Sequence, residues 1–143
     1  MQTRLVLGVA LLGMGLIVAP GYGHAQGPDI GKQEYIFSCA DCHGVDGKGN
    51  GPVAPYMKAK VPDLTVLAKS NAGVFPFARV YDVIDGRQAV GAHGPRDMLI
   101  WGNEYREEAI RSSAGFATAQ ELSSFARGRI IALIGYIYTL QAK

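Results

Sequence analysis

Cysteine is nearly absent from this chain: Cys39 and Cys42 are the only two in 143 residues. A disulfide between them would close so short a loop that it would staple almost nothing. Zinc normally takes four protein ligands, or three and a water, so the rest would have to come from His24, His93 or carboxylates that show no familiar spacing. A thioredoxin-like dithiol calls for a preceding strand in a parallel sheet, and no segment forms a convincing alternating series. Blocks of like charge are also missing. The 14 basic and 12 acidic side chains are interspersed, which leaves no basic tract for DNA or RNA and no acidic solvating tail. The apolar run Leu5 to Val18, about 14 residues, is short of the roughly 20 needed to cross a bilayer. Internal repeats are not visible.

The two cysteines stand in Ser38-Cys39-Ala40-Asp41-Cys42-His43-Gly44, and C-x-x-C-H is the pattern of covalent c-type haem attachment. Each residue has a physical reason to be there. Two thiols three positions apart reach the two vinyl groups of one porphyrin if the backbone between them turns. The histidine that follows then lies beneath the iron, coordinating through one ring nitrogen while the other donates to a carbonyl. With no second C-x-x-C-H, the expectation is one haem c, attached through Cys39 and Cys42, with His43 as an iron ligand.

Ahead of this motif, MQTR, the apolar run, the break at Pro20 and Gly21 and the small residues Gly23 and Ala25 follow the order of a secretory signal peptide. Residues 1–25 are expected to be cleaved, leaving 26–143 as one domain beginning at Gln26; an uncleaved anchor is the alternative. Export agrees with the chemistry, because thioether attachment takes place outside the bacterial inner membrane, so the expected compartment is the periplasm. A mature chain of 118 residues buries only a modest fraction of its unfolded surface, and a covalent porphyrin would add a large apolar body to its core.

Helical patterns flank the motif. Pro28 to Phe37 reads as a short helix capped by Asp29, with Gly31, Tyr35 and Ser38 on one face. Gly31 costs roughly 1 kcal/mol of helix propensity relative to alanine, which another helix crossing close over it would explain. The partner is expected in the C-terminal segment, where Thr118 and Glu121 have capping-box spacing and Leu122, Phe125, Ile130, Leu133, Ile134, Ile137 and Leu140 repeat at three and four; Gly135 beside Tyr136 is the expected crossing point. Arg127, Arg129 and Gln141 form its polar face. Between the two, Asp63 to Ala68 reads as a turn or two, Pro76 to Ile84 as a helix stopped by Gly86, and Glu104 to Ser112 as a charged, exposed helix. Gly44 to Pro52, rich in glycine, reads as tight turns.

For the sixth iron ligand there are two methionines outside the leader, Met57 and Met98. Reach does not reject Met57, since 14 extended residues span up to roughly 50 Å. The surroundings favour Met98, in a glycine- and proline-containing loop followed by Trp101 and Gly102. His93 is the rival; bis-histidine ligation would lower the potential. Arg79, Arg87 and Arg96 are candidates for pairing with propionates.

The sequence resembles the class I, single-haem bacterial c-type cytochromes with His/Met ligation, through Gly31 and Tyr35 before "CADCHG", "DGKGNGP" after it, Met98 in "MLIWG", and "RIIALIGYIYTLQ" at the end, over roughly Gly31 to Gln141. The resemblance implies an all-α, small cytochrome c fold, helices and loops wrapped round one covalently attached haem, with N- and C-terminal helices crossing. It implies that a proline carbonyl holds the free ring nitrogen of His43, with Pro52 the nearest fit and Pro55 second. One departure is Leu99, where many relatives have proline; leucine keeps a backbone N–H and permits more loop freedom. The function implied is that of a one-electron carrier in a periplasmic respiratory or dehydrogenase-linked chain. It would be no enzyme, and a monomer meeting redox proteins or membrane oxidoreductase complexes by transient contact, without nucleic acid or small-molecule substrate. The alternatives are a haem subunit of a larger oxidoreductase complex and a haem peroxidase or gas sensor with displaceable Met98.

Overall fold

Asp29 opens the first helix by accepting from the Lys32 backbone N–H at 3.0 Å, which satisfies a donor that has no partner inside the helix. The structure is a computed structural model that describes residues 29–88 and 98–142. The proposed leader and His24, His93 and Arg96 lie outside the described residues. Five α-helices follow in order: α1 (Ile30–Ser38), α2 (Ala40–His43), α3 (Phe77–Asp85), α4 (Trp101–Ser112) and α5 (Ala119–Thr139). Short 3-10 turns at Ala54–Tyr56, Leu64–Val66 and Lys69–Asn71 punctuate the long connection from α2 to α3. No strand occurs among the described residues, so the domain is small and all-α. No described helix is long and apolar enough to cross a membrane.

The helix α5 organises the rest. Thr118 and Glu121 close a reciprocal capping box at its start, and the stripe read from the sequence turns inward at Ile130, Leu133, Ile134 and Ile137. Burying each such side chain contributes about 1.5–3 kcal/mol. Near the N-terminus the register differs from expectation: Ala126 is buried, while Phe125 is 38% exposed. Phe125 instead lies under the Arg129 guanidinium, 5.5 Å from ring centroid to Cζ.

α5 packs chiefly against α1 and α4. Gly31 is indeed a contact glycine, since a Cβ built on it would run into the backbone carbonyl of Ala132 and lie 3.2 Å from the Tyr136 Cβ. The crossing therefore falls at Ala132 and at Tyr136, as expected for the tyrosine, whereas a Cβ built on Gly135 would meet nothing within 4 Å. Tyr35 and Tyr136 close the contact with ring centroids 5.2 Å apart.

The helix α4 also departs from expectation. It begins at Trp101 rather than Glu104, and it is not merely an exposed charged helix, because Gly102, Tyr105 and Ala109 are buried on one face. The helix α3 matches its sequence pattern, with Val80, Tyr81 and Ile84 packed on the core and Gly86 ending it at φ +89°. Phe77, at the first position of α3, stays out, 47% exposed.

Candidate functional site

Cys39 ends α1 and begins α2. Its N–H donates to the Tyr35 carbonyl at 2.9 Å, and its own carbonyl accepts from the His43 N–H at 2.8 Å, so the backbone between the thiols makes the helical turn that the motif requires. Four residues of helix leave four carbonyls short of partners. The glycine tract supplies them: Gly44 N–H to Ala40, Val53 to Asp41, Gly51 to Cys42 and Gly49 to His43, at 2.7–3.1 Å. Gly44, at φ +79°, turns the chain so that its carbonyl accepts from the buried Tyr35 hydroxyl at 2.7 Å.

His43 is 8% exposed, and its Nδ1 lies 3.2 Å from the carbonyl oxygen of Pro62. A carbonyl can only accept, so Nδ1 carries the proton and Nε2 keeps its lone pair. Burial lowers the His43 pKa, with the Pro62 bond working the other way; the neutral, ligating form is favoured. This corrects the expectation of Pro52, with Pro55 second. Both follow the motif closely in sequence, but the carbonyl that reaches the ring belongs to a segment brought back from farther along the chain.

That segment is anchored from several sides. Leu64 N–H donates to Gly47 at 2.7 Å, and Asp63 caps the following turn by accepting from Thr65 N–H at 2.8 Å. From the end of α5, Gln141 Nε2 donates to the Leu64 carbonyl at 2.7 Å while its Oε1 accepts from Ala68 N–H at 2.9 Å. Ala142 N–H adds a bond to the Thr65 carbonyl at 2.8 Å. Gln141 thus clamps the loop that holds the histidine, a role its place on the expected polar face did not reveal.

Both thiols are free. Cys39 is buried and Cys42 half-buried. Burial, then the nearby Glu34 carboxylate and Cys42, push the Cys39 thiol up to about 12. Met98 is half-buried and packs against the cluster that contains Cys39. Met57 is half-buried at the end of the Ala54–Tyr56 turn. Of the three arginines considered for propionates, Arg87 is engaged by Asp85 at 2.7 Å and Asp82 at 3.9 Å and lies over Tyr81, Arg79 is exposed, and Arg96 falls outside the described residues.

Beside Cys39 lies a buried polar cluster that was not foreseen. Glu34 is 7% exposed; its Oε1 accepts from Ser38 Oγ at 2.8 Å and from Tyr105 Oη at 2.9 Å, and its Oε2 faces Arg129 at 3.3 Å. Arg129 also donates to Glu108 at 2.8 Å. Its Nε finds no acceptor among the described residues, but the guanidinium lies over the Tyr105 and Phe125 rings, where a cation is attracted by the π face. The cluster joins α1, α4 and α5.

No protein-family model, curated protein or solved structure matches the chain.

The donor set fits a covalently held haem. Two unpaired thiols sit on one turn, the adjacent imidazole has its tautomer fixed by Pro62, and a thioether packs on the same core. Leu64, Leu67, Phe75, Val80 and Met98 are partly buried and pack against that core. Among the described residues no group of three or more His, Cys, Asp or Glu side chains is arranged to hold a metal ion.

Proposed function

We propose that the chain is a periplasmic one-electron carrier holding one haem through thioethers to Cys39 and Cys42, with His43 and Met98 as its iron ligands. The observation that carries this reading is the Cys39-x-x-Cys42-His43 turn, with Nδ1 of His43 committed to the Pro62 carbonyl and Nε2 left free to ligate. When bound by these residues, a haem would supply one-electron chemistry between Fe(III) and Fe(II), exchanged with partner proteins.

The residues of the chain do the rest. Cys39 and Cys42 tether the group, so it stays bound in either oxidation state. Pro62 keeps the His43 ring from rotating and raises its donor strength. Met98, a soft thioether, would favour the reduced state relative to a harder ligand, and as a second iron ligand would leave no position open to substrate. Tyr35 and the glycine tract hold the attachment turn rigid, which keeps the ligand geometry constant between oxidation states. Donors and acceptors would be met through small, transient contacts.

Spectroelectrochemical titration of the holo-protein tests the reading. A single reversible one-electron wave is expected, with a weak near-infrared Fe(III)–S absorption in the oxidised form. Met98→Ala should lose that band and lower the midpoint potential. Retention of both in the variant would refute Met98 ligation, and turnover of peroxide without a redox partner would refute the carrier role.

A further inference from the structure

The chain that carries Met98 leaves α3 at Gly86 and returns to α4 at Trp101, and the two ends of this excursion meet. A Cβ built on Gly86 would collide with the Ile100 side chain, and one on Gly102 would collide with the Asp85 carboxylate and lie 2.8 Å from its backbone carbonyl. Asp85 is buried. Its Oδ2 accepts from Arg87 Nε at 2.7 Å, on its own side of the neck, and its Oδ1 faces Arg106 NH1 of α4 at 3.4 Å. Asn103 Oδ1 holds the other arm of the Arg106 guanidinium at 2.7 Å. A carboxylate placed between two arginines and against the first turn of α4 thus joins the start of the excursion to its end.

We propose that Asp85 and Arg106 are positioning residues for Met98, setting how narrowly its thioether is confined near the iron. The proposal rests on the reading of Met98 as ligand. Leu99, beside it, is 58% exposed and has none of the φ restriction that proline would supply, so the first anchor after Met98 is Ile100 in the neck. A ligand on a tethered segment acts at an effective concentration set by that tether. Loosening the neck lowers the effective concentration of the thioether and lets an external ligand compete.

The experiment is titration of the oxidised holo-protein with imidazole, comparing wild type, Asp85→Asn, Arg106→Gln, Arg106→Lys, Met98→Ala and a control, Arg111→Gln, which breaks an exposed pair with Glu107 on the same helix. Arg106 is half-exposed, so Arg106→Gln reads the neck even if Asp85→Asn does not fold. Imidazole should bind Asp85→Asn and Arg106→Gln about ten-fold more tightly than wild type, equivalent to about 1.4 kcal/mol. Arg106→Lys should restore most of the difference and the control should match wild type. If Met98→Ala binds imidazole much more tightly but the neck variants match wild type while unfolding at lower denaturant, the neck is only structural and the proposal fails alone. If Met98→Ala binds imidazole no more tightly than wild type, the ligation reading fails and takes the proposal with it.

Discussion

Gln141 and Gly31 show how much single residues at the ends of helices decide here. The Gln141 amide both donates to Leu64 and accepts from Ala68, so Gln141→Leu strands two half-buried backbone groups. A loss of about 1–3 kcal/mol in urea unfolding of the holo-protein is expected. Gln141→Glu keeps the acceptor and loses the donor, and should fall between the two. At Gly31 the obstacle to a larger residue is the Ala132 backbone, which cannot rotate away as a side chain can. Gly31→Val should therefore cost about 3 kcal/mol, the upper end of ordinary overpacking; equilibrium unfolding that shows a loss below about 0.5 kcal/mol would contradict the close crossing.

Among the elements, α4 depends most on interactions the sequence does not advertise. Glu34 of α1 accepts from Tyr105 of α4 and pairs with Arg129 of α5, while burial first and then Glu34 push the Tyr105 hydroxyl pKa upward, keeping it a donor. Glu34→Leu leaves the Tyr105 and Ser38 hydroxyls without their acceptor and Arg129 with Glu108 alone. It should cost about 3–5 kcal/mol, and Glu34→Gln, which can still accept from both hydroxyls, distinctly less, as read by thermal or urea unfolding. At the start of α5 the bond from the Thr118 backbone N–H to the Glu121 carboxylate lowers the pKa of Glu121. A depressed folded-state value means that this contribution is present above the unfolded pKa and disappears as pH falls through the folded one. The stability difference between wild type and Glu121→Gln should accordingly shrink on acidification through that window. Such features explain what the sequence did and did not disclose. The helices α3 and α5 were legible because their apolar residues repeat at helical spacing, and Asp29 and Thr118 because caps are local. The buried side of α4 was hidden because Tyr105 and Ala109 sit among charges, and Glu34 and Arg129 because a charged residue goes inside only where a partner from another element meets it. At the crossing Tyr136 was legible, but the small residue that meets Gly31 is Ala132 and not Gly135, since small residues at both positions satisfy the same pattern. Pro62 was missed for a different reason: Pro52, Pro55 and Pro62 all stand in the stretch that follows the motif, and only the return of the chain, fixed by Gly47 and Gln141, decides which carbonyl reaches His43.

At the scale of the whole molecule, the attachment turn is reached from every side: Tyr35 of α1 binds its Gly44 carbonyl, the glycine tract satisfies its carbonyls, and α5 holds, through Gln141, the loop that supplies Pro62. Such an arrangement suits a site whose geometry must not change when its charge does. The most direct test is intact-mass analysis of the purified protein under denaturing, acidic conditions after expression with haem-attachment machinery. The account predicts that every mature chain carries the mass of one haem that denaturation and solvent extraction do not remove, and that Cys39→Ser and Cys42→Ser together abolish it. A wild-type chain that matures with the bare polypeptide mass and two free thiols, although the same cells attach haem to a control protein, would contradict it.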